Sequence, residues 1–351
     1  MNSIIKFIST IKNEYANFEM PFLNKQLQRM LINKPYKGLT ILHNTPFTKE
    51  TILKLEILYV GGANLTVTSP SFMEVNTDLV QAFIKAGGRW KQLNEITNET
   101  FDFHLDCAAE LMDRNPPKIG TVEITGTGTN KYESIKTNYP IISVDKSKIK
   151  NLEGVLGTGE AFVRAFETLS NEDISDKKFM VFGYGKVGKG IAHYLKLKTK
   201  NILVIDKIPQ NVEKAKLAGF ESYLSDNKSK IENLASEMFA IVTATGIKDV
   251  ISNNFNSDYF KGSYLVNMGG EDEFGFSFKT EDVMCEKRPI NFFIEKPTLM
   301  RYLDPVFYAH NLGIDLLLYA NLSNELHSFP KFISEEVVND WVSIFNENIN
   351  I

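Results

Sequence analysis

Val181-Phe-Gly-Tyr-Gly-Lys-Val-Gly-Lys-Gly190 is the stretch whose reading decides the fold. It follows the apolar run Lys178 to Phe182 and precedes the helical run Ile191 to Leu195, so its glycines fall at a strand-to-helix turn. A dinucleotide pyrophosphate binds at such a turn. Gly183 permits the bend, Gly185 lets the anion approach the backbone, and Gly188 lets the helix pack on the strand. The free N–H groups of the helix start, from Lys186 and Val187 onward, hold the charge. A GxGxxG pattern alone is weak, but here a second strand, Asn201 to Ile205, follows and ends in Asp206. That acid suits both ribose hydroxyls of NAD and repels the extra phosphate of NADP.

Outward from this unit the chain has 351 residues, 43% of them hydrophobic, enough for two domains with separate cores. The net charge of −4, with no stripe of aromatic and basic residues, argues against nucleic acid as a partner. Cys107 and Cys285 are far apart with no CxxC, and the first residues are amphipathic without a cleavage signal, so a cytoplasmic setting is expected. No apolar run has the length of a membrane span, and the histidines show no metal-ligand spacing.

Strand and helix patterns alternate at Gly38 to Leu42, Lys49 to Leu58, Ala63 to Thr68 and Asp78 to Ala86. Lys118 to Tyr139, rich in Gly, Thr and Asn, reads as loop near a site. A helical run, Gly159 to Leu169, leads into the glycine turn, and strands are expected again at Met238 to Val242, Ser263 to Val266 and Asn291 to Ile294. The expected fold is α/β: a doubly wound Rossmann-type NAD domain, 153–318, inserted in an α/β substrate domain, 1–152, to which a C-terminal helix in 319–351 returns.

Several stretches together resemble the S-adenosyl-L-homocysteine hydrolase family across nearly the full length. Leu42-His-Asn-Thr45 resembles its opening, where His43 and Thr45 would line the substrate pocket. Glu123-Ile-Thr-Gly-Thr-Gly128 resembles its Thr-rich loop, which would bring Thr125 and Thr127 to the nicotinamide end of NAD. Lys146 to Gly154 resembles its hinge motif, with Lys146 and Asn151 at matching positions. Asp206 to Asn211 resembles its ribose-binding turn, and Thr243-Ala-Thr-Gly246 with Asn267-Met-Gly269 its later NAD contacts, which would be Thr245, Gly246, Met268 and Gly269. The resemblance implies a homo-oligomer and a redox cycle in which NAD oxidises a substrate hydroxyl and later returns the hydride.

The substrate side departs from that pattern. Where the family has an adenosine-binding Glu, a pocket Asp, an Asp after the hinge lysine and a late His, this chain has Ile124, Cys107, Lys150 and Gly270. Hydrolysis in the family's manner is therefore not expected. The reading taken is an NAD-dependent oxidoreductase acting on a small polar substrate. A redox-assisted hydrolase or lyase on a thioether or nucleoside-like substrate is the alternative, and a non-catalytic NAD-binding paralogue a third. Lys146, His43 and Asn151 are the catalytic candidates, with Thr45, Cys107 and Lys150 toward substrate. If helical, Lys146 and Lys150 share a face and each disfavours the other's charge. Cys107 reads as a nucleophile or as buried packing, and the acids Glu271 to Glu273 as a replacement acid or as a solvated loop.

Overall fold

A computed structural model describes residues 3–347. The described residues divide into two units: those up to Leu152 together with Met300 to Glu347, and Glu153–Leu299. Each is a parallel sheet with helices connecting its strands, the consequence of strands buried on both faces.

In the first unit the strands are β1 (Thr40–Asn44), β2 (Asn64–Thr68), β3 (Phe103–Asp106), β4 (Gly120–Glu123), β5 (Ile141–Ser143) and the last strand of the chain, β11 (Leu326–Ser328). Their order is β11-β5-β4-β3-β1-β2. The helix Lys49–Val60 is buried from Glu50 through Leu58, including Lys54. Its start is fixed by a reciprocal Thr48–Thr51 capping box. The helix Met300–Tyr319 also belongs to this unit, so the chain returns at Met300 and not at the expected 319. Asp304 is the reason: its oxygens accept the free amides of Phe22 and Leu23 at the start of the helix Pro21–Asn33, at 2.8 and 2.9 Å. The helix Lys331–Phe345 packs here too, through the Trp341 indole N–H donating to the Arg301 carbonyl at 2.7 Å.

The segment 118–139, expected as loop, contains β4 and the helix Gly126–Glu133. That helix has little apolar periodicity and depends instead on Thr125, whose hydroxyl caps the Gly128 amide at 3.1 Å.

In the second unit β6 (Phe179–Phe182), β7 (Ile202–Asp206), β8 (Glu221–Leu224), β9 (Ala240–Thr243) and β10 (Tyr264–Asn267) lie in the order β10-β9-β6-β7-β8. The expected strand Asn291 to Ile294 is instead a short 3-10 turn, Ile290–Phe293, after Pro289, with Phe292 exposed. An apolar run this short does not distinguish strand from turn. No helix among the described residues is long and apolar enough to cross a membrane.

Candidate functional site

β6 sits between β9 and β7, the point where the winding of the sheet reverses. Open α/β sheets bind ligands in the crevice outside the carboxyl ends of the strands at that point. A cavity of 390 Å³ opens there in the second unit, lined among others by Gly183, Gly185, Asp206, Asn211 and Thr245. Gly183 has φ +93°, and a Cβ on it would stand 2.4 Å from the Ala244 carbonyl oxygen, so no other residue fits the turn. A Cβ on Gly188 would lie 1.9 Å from the Gly183 carbonyl oxygen. The helix Lys186–Leu195 starts at Gly185 with no side chain capping it, which leaves its first amides for an anion.

Asp206 ends β7 at the rim. One oxygen accepts the Tyr184 amide at 2.6 Å and the Asn211 side chain at 3.1 Å, and the other the Ile208 amide at 2.7 Å. A carboxylate offers about four acceptor positions, so capacity remains for ribose hydroxyls. Open amides, a glycine floor and this acid fit a dinucleotide.

Gly183, Gly185, Asp206, Asn211 and Thr245 line the cavity, while Lys186, Val187 and Gly188 form the first turn beside it. Gly246, Met268 and Gly269 are not among its lining residues. The amides of Thr245 and Gly246 are held by Glu273, which accepts both, together with the Thr245 hydroxyl, at 2.6–3.0 Å. A Cβ on Gly269 would collide with the Glu273 carboxylate. The acidic triplet is thus three different environments: Glu271 is exposed, Asp272 pairs with Lys287 at 2.9 Å, and Glu273 is fully buried, its carboxyl raised by burial. Of the two readings the sequence offered for this triplet, replacement acid or solvated loop, neither describes Glu273, which is buried and holds the Thr245 and Gly246 amides.

Parallel register in the first unit sets Asp106 beside Glu123. Asp106 accepts from the Asn44 side chain, the amides of Cys107 and Leu111 and the Tyr132 hydroxyl, at 2.8–3.1 Å. Glu123 accepts the amides of Ala108, Ala109 and Thr125 and the Thr125 hydroxyl, at 2.6–3.1 Å. Ala108 and Ala109 both have positive φ, 62° and 54°, which turns their amides onto this one carboxylate. Burial and the neighbouring Glu123 push Asp106 up to about 8, and burial raises Glu123. Neither acid was singled out from the sequence. Ile124 and Cys107, which were, are buried beside them, and no disulfide joins Cys107 to Cys285. Thr125 is absorbed into this scaffold, while Thr127 is exposed on the helix it starts.

His43 is buried in β1 and its Nε2 faces the Lys54 Nζ at 2.8 Å and the Thr45 hydroxyl at 3.5 Å. The His310 ring lies 6.4 Å from that of His43, and its Nε2 donates to the Val122 carbonyl at 2.9 Å. Burial holds His43, Lys54 and His310 well below their ordinary values, and each histidine is lowered further by Lys54. Burial thus disfavours the charged form of all three neighbouring bases. Lys146 lies elsewhere, exposed in a turn after β5 and ion-paired with Glu133. The helix starts only at Ile149, so the shared helical face expected of Lys146 and Lys150 is not formed. Lys150 is half-buried and its charge acts on His310, whereas Asn151 is exposed.

Comparison with known proteins agrees with this geometry. Residues 155–282 match the family model described as S-adenosyl-L-homocysteine hydrolase, NAD binding domain. The chain is 27% identical over 281 residues to an adenosylhomocysteinase of Saccharolobus solfataricus, covering 73% of this chain and 66% of that protein. It is 26% identical over 284 residues to an S-inosyl-L-homocysteine hydrolase of Methanopyrus kandleri, covering 74% and 66%. The chain thus spans just under two thirds of the length of these relatives. In fold alone it is similar to a dipicolinate synthase chain from Bacillus halodurans, with a TM-score of 0.50 and 12% identity over 80% of this chain and 98% of the other. Residues 155–282 thus form an NAD-binding domain of the S-adenosyl-L-homocysteine hydrolase type, the chain is similar to adenosylhomocysteinases beyond that domain, and NAD is its cofactor.

Proposed function

We propose that this divergent relative of the adenosylhomocysteinases is an NAD-dependent oxidoreductase that transfers hydride to or from a small polar substrate. One contrast carries the reading. The cofactor cavity keeps its open amides and Asp206, whereas the strand-end acids of the first unit are spent on their own backbone: Glu123 binds three amides and a hydroxyl, and Ile124 and Cys107 beside the pair offer no carboxylate. When bound, NAD supplies the hydride acceptor. The chain's own part is to hold the pyrophosphate at the amides that open the helix Lys186–Leu195 and the ribose at Asp206. Lys146 is exposed at the carboxyl end of β5 and is the candidate to move a proton at the substrate, with Glu133 as its counter-ion. His43 serves as a buried positioning residue.

The test is a cofactor balance. Purified protein loaded with NAD is mixed in turn with S-adenosylhomocysteine, S-inosylhomocysteine and a panel of small hydroxy and amino acids, and NADH absorbance and thiol release are followed together. Net NADH in proportion to product supports the proposal. Thiol release at an ordinary turnover of about 10 per second with no net NADH would establish the second reading, a redox-assisted hydrolase, which the names of the relatives favour. With a substrate in hand, Lys146→Met should lower turnover by roughly two to four decades and leave NAD affinity unchanged. A variant that keeps most of its turnover removes Lys146 from the chemistry.

A further inference from the structure

Behind the glycine turn the second unit carries a second concavity of 290 Å³, walled by Tyr184, Lys189, His193, Lys196, Lys214 and Phe220. Its charge runs against that of the molecule. The chain has 43 acids and 39 Lys and Arg residues, yet three lysines and a histidine converge here and no carboxylate is among the described residues that line the cavity. The lysines come from two helices, Lys186–Leu195 with its following turn and Pro209–Leu217, so the grouping is a product of packing and not of a run in sequence. Two of them are held in place. Lys196 donates from Nζ to the Ala218 carbonyl at 2.7 Å and lies 5.2 Å from the Phe220 ring, and the Lys189 Nζ lies 5.9 Å from the Tyr184 ring. Burial and the nearby Lys214 both lower Lys189, the mark of ammonium groups close enough to repel. An anion between them removes that repulsion and gains charge-assisted hydrogen bonds.

We infer that this cavity is a binding site for a compact phosphorylated anion, a di- or triphosphate, distinct from the cofactor cavity and coupled to it. The volume lies at the bottom of the range of small-molecule sites, which suits a small polyanion and excludes a whole dinucleotide. The coupling runs through Tyr184. Its ring walls the basic cavity, while its amide donates to Asp206 at 2.6 Å on the rim of the cofactor cavity, and it stands between Gly183 and Gly185 in the turn itself.

The probe is inorganic pyrophosphate, titrated calorimetrically at low salt into protein already saturated with NAD, so that the glycine turn is occupied. NAD binding is measured first in the same series, which separates a failure of the cofactor assignment from a failure of this one. Saturable binding with a Kd below about 1 mM is expected. It should weaken at least tenfold in Lys189→Gln/Lys214→Gln and stay unchanged in Lys228→Gln/Lys261→Gln, which removes the same charge from remote exposed positions. No saturable binding, or equal losses in the two double variants, overturns the site. Pyrophosphate should also change NAD affinity at least twofold, and by linkage NAD should change pyrophosphate affinity equally. An NAD affinity independent of pyrophosphate overturns the coupling.

Discussion

At the carboxyl ends of β6 and β7 the second unit leaves helix-start amides and one carboxylate facing a cavity. At the ends of β3 and β4 the first unit turns two carboxylates in register back onto its own loops. Both sheets are parallel and both finish strands with an acid, Asp206 in one and Asp106 and Glu123 in the other. The difference lies in what the following loop does with its amides. The glycine turn gives the Tyr184 amide to Asp206 but leaves the amides of the uncapped helix start available, while two alanines at positive φ commit theirs to Glu123. Architecture sets where a site can form, and loop conformation decides whether the acid there serves a ligand or the scaffold.

That contrast breaks most sharply at Glu123. Replacing it in Glu123→Ala orphans the amides of Ala109 and Thr125, while the Ala108 amide keeps the Thr125 hydroxyl at 2.9 Å, and at about 1–3 kcal/mol for each orphan the first unit should lose roughly 2–6 kcal/mol. Both tryptophans, Trp90 and Trp341, lie in that unit, so denaturant unfolding followed by their fluorescence reports it selectively. NAD affinity should not change. A stability loss under about 1 kcal/mol would show that Glu123 is not the scaffold of this loop.

The complementary substitution, Asp206→Ser, should leave the first unit untouched and weaken NAD binding by about ten- to a hundredfold, the worth of hydrogen bonds to a charged acceptor. NADP, which the carboxylate repels, should lose much less, so the preference between the two cofactors shrinks. Equal affinities of the unaltered protein for NAD and NADP would remove the assignment.

The smallest effect is a pH slope confined to the first unit. Burial holds Lys54 well below its ordinary value of about 10.4, so its proton affinity rises on unfolding. Between its depressed folded value and that pH the unfolded state binds more protons, so stability rises with pH, by at most about 1.4 kcal/mol per unit. Asp106 acts in the opposite sense. Its folded value of about 8 means that between about 3.9 and 8 the folded state holds the extra proton, and stability falls as pH rises. Asp304, raised by burial to about 7, acts in the same sense as Asp106, and above about 8 both of these carboxyls are ionised, so the rising slope from there toward about 10 is assigned to Lys54. Lys54→Met should flatten it, as read by tryptophan fluorescence at a series of pH values. A slope that survives the substitution assigns it to another group.

Residues that act through local spacing are legible in the sequence. The glycine turn, the flanking strands and Asp206 depend on near neighbours, and each stands where periodicity and spacing set it. Features made by distant segments are not. β5 is three residues long, and β4 lies in a Gly- and Thr-rich stretch with no helical or strand pattern of its own. Lys54 occupies a helix in which a lysine reads as solvated, yet it is fully buried with its ammonium against His43 of β1, a residue of another element. Lys146 is visible as a motif residue, but the turn that places it, and Glu133 across from it, belong to tertiary structure.

The bond between Asp304 and the amides of Phe22 and Leu23 spans 282 and 281 residues. During synthesis on the ribosome the helix Pro21–Asn33 emerges early, yet the carboxylate that completes its start is made only after the entire segment Glu153–Leu299 has been translated. The NAD-binding unit is contiguous in sequence and has all its strands by Asn267, so it can fold while its host still lacks a terminal helix. The strands of the inserted unit are thus all made before the interrupted unit receives the helix that holds Asp304.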